Sequence, residues 1–475
     1  MQASIDLMPG RSSPRAHSPS AESPAALRAR LAELDQELAA IWSTWQFLTI
    51  ERQNVMADLD AVTYPVLTLP PEITSDIFSL CMPDQHDISN TKSGPLMLAS
   101  VCKGWRDICL STCSLWATLR IDESYHADGN IQFRLPFLQR WFSRAGKHPL
   151  DLSVITPPSP TTARTWSLLA EYSPQWRSLQ LSFNQSSSNS LPVHLIRGKI
   201  PSLVKLSLSV WCNSPLWSTV FQDAPSLREV RLSNCSQLWI SLPWSQLTYL
   251  GFTDGSLSAF AKVLQEAPNL EILDVSCRRD DSAESLDPVL LPRLHTFKFG
   301  FAYSSDTTLF DYLTLPAVQT LESTDGIAHD AVPRFLELGR RSAWAPRSIR
   351  LANTDYTLAI DCLRTLPSLE VVDVQGYIDD PSNLLPLFES LSVDPNFLPA
   401  LRSLTIGGCR GWMPLSSLPE VLAVRWYGKH EGVAPLETFH LSFVGLGMPE
   451  GDVHDATLRL QPLVEDGMDV IVSVK

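Results

Sequence analysis

Positive charge is in deficit: 37 Lys and Arg stand against 51 Asp and Glu, a formal net charge of −14. A chain this acidic offers no basic footprint for a phosphate backbone, which sets nucleic acid aside as a partner. Long apolar runs are missing too. No stretch approaches the roughly 18 to 20 apolar residues a membrane helix requires, so no membrane association is expected. Residues 1–24 contain no apolar run of signal-peptide length, and the expected location is cytoplasmic or nuclear. The nine cysteines are odd in number and contain no CxxC pair and no histidine at zinc-finger spacing, which points to reduced, mostly buried thiols and no metal.

Catalytic signatures are equally scarce. There is no nucleophile elbow, no GxxxxGK phosphate loop, no HExxH and no GxGxxG, so no catalytic residue and no cofactor are assigned. The ten histidines are scattered; His295 and His440 fall on repeated strands and read as surface or satisfied residues. Cys109 and Cys113 lie one helical turn apart without an adjacent base, and read as buried thiols. The acidic end (Glu450, Asp452, Asp455, Glu465, Asp466, Asp469) lacks calcium-loop spacing and reads as a solvated terminus.

What is present divides the chain into zones. Its 475 residues, 44% of them hydrophobic, are about three times a usual domain length, favouring several units or one extended array. Residues 1–24 are Ser- and Pro-rich and read as a disordered arm. Over 25–63, Leu27, Leu31, Leu34, Leu38, Ile41, Trp45, Leu48, Val55, Leu59 and Val62 alternate by four and three, with Arg52 alone breaking the stripe. This is a heptad helix, either a coiled coil that self-associates through 27–62 or a helix packed on a neighbouring element.

Residues 64–119 read as a compact helical segment. Leu69-Pro70-Pro71-Glu72-Ile73 places Pro71 at the first helical position and Glu72 in the first turn. Ile73, Ile77, Phe78 and Leu80 continue at helical spacing, and Pro83 follows the end. A second start at Pro95 leads through Leu98, Val101, Cys102, Trp105, Ile108 and Cys109, with Gly104 as the point where two short helices divide. Leu115-Trp116 closes the segment. Taken together, Leu69–Ile73, Ile77-Phe78, Val101-Cys102, Trp105-Arg106 and Leu115-Trp116 resemble an F-box domain, in the form common in proteins of mushroom-forming fungi. Cys113 stands where that pattern usually has Pro. The resemblance covers about 50 residues, and its weight comes from several elements in the correct order. It implies docking on the Skp adaptor of a cullin-RING ubiquitin ligase, with Leu69, Pro70, Ile73, Ile77, Val101, Cys102 and Trp105 as the adaptor-binding positions. Independently, so small a helical unit cannot bury all of its large apolar side chains, which leaves a patch for a partner. Trp105 and Phe78 serve equally well as core.

Downstream the phrase Pro-x-Leu-x-x-Leu-x-Leu recurs, at Pro201–Leu208, Pro225–Leu232 and Pro268–Val275. Further copies start at Leu294, Leu369 and Leu401, and weaker ones at Trp176, Leu247 and Leu436. Two are damaged: the copy at Val318 ends on Ser323, and Pro346 precedes Ile349 and Leu351. The mean period is about 24 residues, within the leucine-rich-repeat range. The Asn or Cys position of such repeats is filled by Asn184, Cys235 and Cys409. Each repeat reads as strand, loop, helix, and 149–448 as an irregular leucine-rich-repeat-like α/β solenoid with parallel strands, giving a mixed α/β fold class overall. Residues 120–148 form a helical linker, Leu150–Val154 the first strand, and 449–475 an acidic C-terminal segment. The outward position of successive strands reads Gln180, Ser207, Arg231, Gly251, Asp274, Lys298, Glu322, Arg350, Asp373, Thr405, His440. Arg231, Asp274, Lys298, Glu322, Arg350 and Asp373 are the candidate target-binding residues of that face, unless it is merely solvated. The expectation is a non-catalytic F-box receptor of a Skp-cullin-F-box ubiquitin ligase with an unknown target protein. The alternative is a scaffold assembling through the heptad helix and the solenoid.

Overall fold

The computed structural model describes residues 23–61, 65–83, 87, 90, 92–122, 131–156, 160–183, 192–210, 217–234, 240–278, 287–300, 307–324, 326–327, 329–353, 356–378, 384–409, 415–428, 432–444 and 450–474. The arm at 1–22, Val62, Asn184, Cys212 and Cys235 lie outside them. The chain forms two compact units, Met1–Thr74 and Ser75–Lys475.

The first unit is dominated by α1 (Pro24–Ala61), 38 residues or about 57 Å of helix. The Ser23 hydroxyl accepts the Ala26 N–H at 3.3 Å, so a serine cap and a proline in the first turn start the helix where the apolar stripe begins. Among its described side chains only Thr49 is half-buried; the others, the stripe from Leu27 to Leu59 included, are exposed. A single turn of 3-10 helix at Pro65–Thr68 then leads to α2 (Pro71–Leu80), within which the unit boundary falls.

The second unit continues with α3 (Gly94–Val101) and α4 (Lys103–Ser111), then β1 (Thr118–Asp122), α5 (Ile131–Ala145), β2 (Leu150–Thr156), α6 (Pro160–Glu171) and β3 (Trp176–Phe183). Next come β4 (Lys205–Val210), β5 (Glu229–Ser233), β6 (Tyr249–Ser256), α7 (Leu257–Glu266), β7 (Ile272–Arg278), β8 (Val289–Leu290) and β9 (Thr296–Phe299). They are followed by α8 (Leu309–Tyr312), β10 (Leu313–Thr314), β11 (Thr320–Ser323), α9 (Val332–Ser342), β12 (Ser348–Ala352) and α10 (Tyr356–Arg364). The last are β13 (Val371–Ile378), α11 (Leu385–Val393), β14 (Ser403–Cys409), α12 (Leu418–Tyr427), β15 (Thr438–Phe443), α13 (Glu450–Glu465) and β16 (Asp469–Val474).

Fourteen of these strands form one sheet whose spatial order is the chain order, β1 to β7, β9, then β11 to β16, every neighbour parallel; β8 and β10 pair separately. Such order follows when each strand buries its apolar residues only against the next copy of the same phrase. The register shows it. Leu206, Val230, Leu250 and Leu273 stand side by side, and two residues on so do Leu208, Leu232, Phe252 and Val275, all buried. The phrase at Val318 is damaged at Ser323, which occupies the second column between Phe299 and Leu351. Its hydroxyl is buried without a hydrogen-bond partner among the described residues. Removing an unpaired buried hydroxyl relieves its desolvation cost, so Ser323→Ala is expected to stabilise the fold by about 1 kcal/mol, read as a raised melting temperature; a fall would show that the hydroxyl is paired.

Four sequence expectations change. The sheet starts at β1, one strand before Leu150–Val154, because Leu119 and Ile121, on either side of the boundary between the helical segment and the linker, register with Leu152 and Val154. It ends at β16, within the stretch read as a solvated acidic terminus: Ala456, Leu460, Leu463 and Met468 are buried, and the carboxylates occupy the other face of α13 and its flanks. Between β3 and β6 the described connections are 3-10 turns (Val193–Ile196, Trp244–Gln246), not helices, because Pro192 and Pro243 precede segments too short for a helical nucleus. Finally, the helix break lies at Cys102, whose extended backbone separates α3 from α4, and Gly104 is inside α4.

Candidate functional site

On α2, the buried side is Thr74 and Phe78, four residues apart. The Thr74 hydroxyl donates to the Pro70 carbonyl at 3.1 Å, which lets a polar residue sit inward. The adjoining side carries Ile73, Ile77 and Leu80, all solvent-exposed, with Ile73 at 48% and Ile77 at 41%. The helix is therefore apolar on two sides, and folding covers one of them. Ahead of it, Leu69 (37% exposed) and Pro70 also face solvent.

In the second unit, Phe78 meets Trp105 edge to face at 4.9 Å between ring centroids. Cys102 caps α4: its sulfur accepts the Trp105 N–H at 3.4 Å. Cys102 and Trp105 are thus half-buried and shape the helix junction, whereas Val101, one residue earlier, is 59% exposed. Met97 and Leu110 are exposed as well. Cys113 opens a single 3-10 turn, Cys113–Trp116, so the closing turn forms without the proline. Trp116 is fully buried, donates its indole N–H to the Cys109 carbonyl at 2.8 Å, and stacks edge to face on Trp141 of α5 at 4.8 Å. The Arg144 guanidinium lies 4.4 Å from the Trp116 ring centroid.

The outward row of the sheet is in register as the sequence alignment has it, from Gln180 to His440. Its six charged candidates pair with one another. Arg231 reaches across β6 to hydrogen-bond the Tyr249 hydroxyl, which donates to Asp274 at 3.2 Å. Gly251 permits this crossing, since a Cβ there would stand 2.9 Å from Arg231 Cγ. Lys298 pairs with Glu322, Arg350 lies 3.9 Å from Glu322 and 3.3 Å from Asp373, and Gln375 donates to Asp373 at 2.6 Å. The row is a ladder of alternating charge, partly solvent-exposed, that holds its own side chains extended across the strands.

Residues 66–122 match the F-box-like family model. The chain carries an F-box-like domain. No curated protein matches it. The matched region runs from the 3-10 turn before α2 through β1, so the F-box-like domain ends on the first strand of the sheet, three residues beyond the boundary read from sequence. F-box domains generally bind Skp adaptors in cullin-RING ligases and are typically non-catalytic. Of the seven positions that the resemblance implies for adaptor binding, Leu69, Pro70, Ile73, Ile77 and Val101 are exposed, and Cys102 and Trp105 are half-buried. Three further apolar residues outside that set are exposed: Leu80, seven residues after Ile73 on the same side of α2, Met97 and Leu110. Among the described residues no helix is long and apolar enough to cross a membrane, and no group of three or more His, Cys, Asp or Glu could hold a metal.

Cysteine burial is uneven. Cys109, Cys362 and Cys409 are buried, but Cys81 and Cys113 are exposed, the latter a correction to its reading as a buried thiol: Cys113 opens a 3-10 turn whose buried residues are Leu115 and Trp116. Burial pushes the Cys109 thiol up to about 11; burial, helped by the Asp361 charge, pushes Cys362 up to about 12. At pH 8 native Cys109 holds about one thiolate in a thousand. Iodoacetamide in native buffer is therefore expected to label Cys81 and Cys113 and spare Cys109 and Cys362, read by peptide mass spectrometry; labelling of Cys109 would refute its burial. Because the folded pKa values are raised, stability from these thiols is complete below about pH 9 and lost as pH rises toward 11 and 12.

Proposed function

We propose that the chain is a non-catalytic substrate receptor of a Skp-cullin-F-box ubiquitin ligase. Leu69, Pro70, Ile73, Ile77 and Val101 contact the Skp adaptor, and Cys102 and Trp105 hold the helices that present them. The second apolar side of α2 carries this reading, because a solvent-facing Ile73-Ile77-Leu80 stripe in a domain matched to the F-box-like family has no use in the fold itself. We read the parallel array as leucine-rich-repeat-like and its outward face, with Arg231, Asp274, Lys298, Glu322, Arg350 and Asp373, as the surface for a target protein. The ion-pair ladder supports that part: paired side chains are already ordered, so less rotamer freedom is lost when a polar partner docks. The receptor contributes proximity. Holding a target beside the ligase raises the effective concentration of its lysines near the charged conjugating enzyme.

The test is co-expression of the full chain with a Skp adaptor followed by size-exclusion chromatography. Co-elution in one peak is the expected outcome. Separate elution of a folded chain overturns the reading and favours the scaffold.

A further inference from the structure

We infer that α1 is one strand of a parallel, in-register, two-stranded coiled coil, the other strand being α1 of a second copy of this chain. The inference stands on the first unit alone and goes beyond the ligase reading. The stripe from Leu27 to Leu59 contains nine apolar residues, all exposed, on a helix with no buried side chain among those described. At its middle, Trp42 and Trp45 are 60% and 56% exposed, with ring centroids 5.1 Å apart and planes 27° apart. Two stacked indoles facing water are the kind of aromatic anchor that dominates an interface when covered.

Charge decides what covers them. Residues 24–61 hold three arginines and six carboxylates, a net −3, which rules out an anionic lipid surface as the occupant. Leu31, Leu38, Trp45, Arg52 and Leu59 form one row of the heptad, and Leu27, Leu34, Ile41, Leu48 and Val55 the other. In a parallel in-register pair, the residue before the first row faces the residue five positions on in the other helix. That sets Arg30 against the partner's Asp35, twice by symmetry. Arg30 already reaches a carboxylate, Glu33 of its own helix at 2.9 Å, but both are exposed and the exchange costs little. An antiparallel pair in full overlap gains Arg30 against the partner's Asp58, loses as much by setting Glu37 against the partner's Glu51, and buries Arg52 against a leucine. In the parallel arrangement Arg52 faces its own mate, and the partner's Glu51 beside each guanidinium offsets that like-charge contact. A single basic residue in the seam, flanked by an acid, fixes register and strand number at some cost in affinity.

Sedimentation equilibrium of the full chain, alone and with bound Skp adaptor, tests this. A dimer is expected, and Leu38→Asp with Trp45→Asp should convert it to a monomer that still co-elutes with adaptor, because neither side chain is buried within the chain. Arg52→Leu should tighten the dimer at least tenfold. Leu34→Cys, which faces its own mate only in the parallel register, should form a disulfide-linked dimer under an oxidant that leaves the unsubstituted chain uncrosslinked. A wild-type monomer at tens of micromolar overturns the proposal, as does a dimer that survives the Leu38 and Trp45 substitutions or fails to cross-link at Leu34→Cys. Loss of adaptor binding with the dimer intact would strike the ligase reading and leave this one standing.

Discussion

Replacing Ile73 and Ile77 together by aspartate is expected to abolish co-elution with the Skp adaptor while leaving the melting temperature of the chain within a degree or two of its original value. Both side chains are exposed in the free chain, so the fold loses little packing, and surface changes of this kind stay within about 0.5 kcal/mol. Position 73 lies in the first turn of α2, where a carboxylate also complements the helix dipole. At an apolar interface the balance reverses. Each unpaired carboxylate withdrawn from water costs several kcal/mol, and two of them lower affinity by about a thousandfold or more. Ser79→Asp adds one carboxylate to the same helix, about 200° round from Ile77, and should leave co-elution intact. If the double variant still co-elutes, Ile73 and Ile77 are not the docking face; if both variants lose adaptor and melt early, the effect is on folding.

Trp116→Ala should be the most damaging single change within the domain. The indole is fully buried, packs on Trp141, donates to the Cys109 carbonyl and carries Arg144 over its ring. Large-to-small changes at buried tryptophans cost about 3–5 kcal/mol, which is much of the stability of a whole domain. Burial and the nearby Arg140 charge lower the Arg144 pKa, and taking away the ring removes the surface that compensates that guanidinium. The expected outcome is a large drop in urea midpoint or loss of folded protein, with Trp116→Phe intermediate because it keeps most of the packing and gives up the hydrogen bond. A midpoint near wild type for Trp116→Ala would mean that this junction can collapse around the missing ring.

The array was legible because its period is long, regular and apolar. The phrase ending at Leu208, Leu232 and Val275 places buried residues two apart, and alternation alone fixes which positions face outward, so the row from Gln180 to His440 aligned without a structure. The two ends were harder to read. β1 lacks the proline that opens other copies and carries Arg120 and Asp122, and β16 follows a run of carboxylates; only stacking on the neighbouring strand reveals each as a rung.

The proposed docking residues divide on the same principle. Local sequence determined that α2 begins at Pro71 and that apolar residues recur along it, because helix initiation and periodicity depend on neighbours a few positions away. Which apolar side turns inward was a tertiary decision. Phe78 and Thr74 are buried and Ile73 and Ile77 are left to solvent, a choice set by what packs against the helix and not by hydrophobicity, since isoleucine is the more apolar partner of threonine. The ladder followed suit: the sequence by itself placed Arg231, Asp274, Lys298, Glu322, Arg350 and Asp373 on one face, but their pairing depends on side chains crossing from strand to strand. Register between segments 20 or more residues apart made that possible, together with a glycine at 251 that leaves Arg231 room to cross.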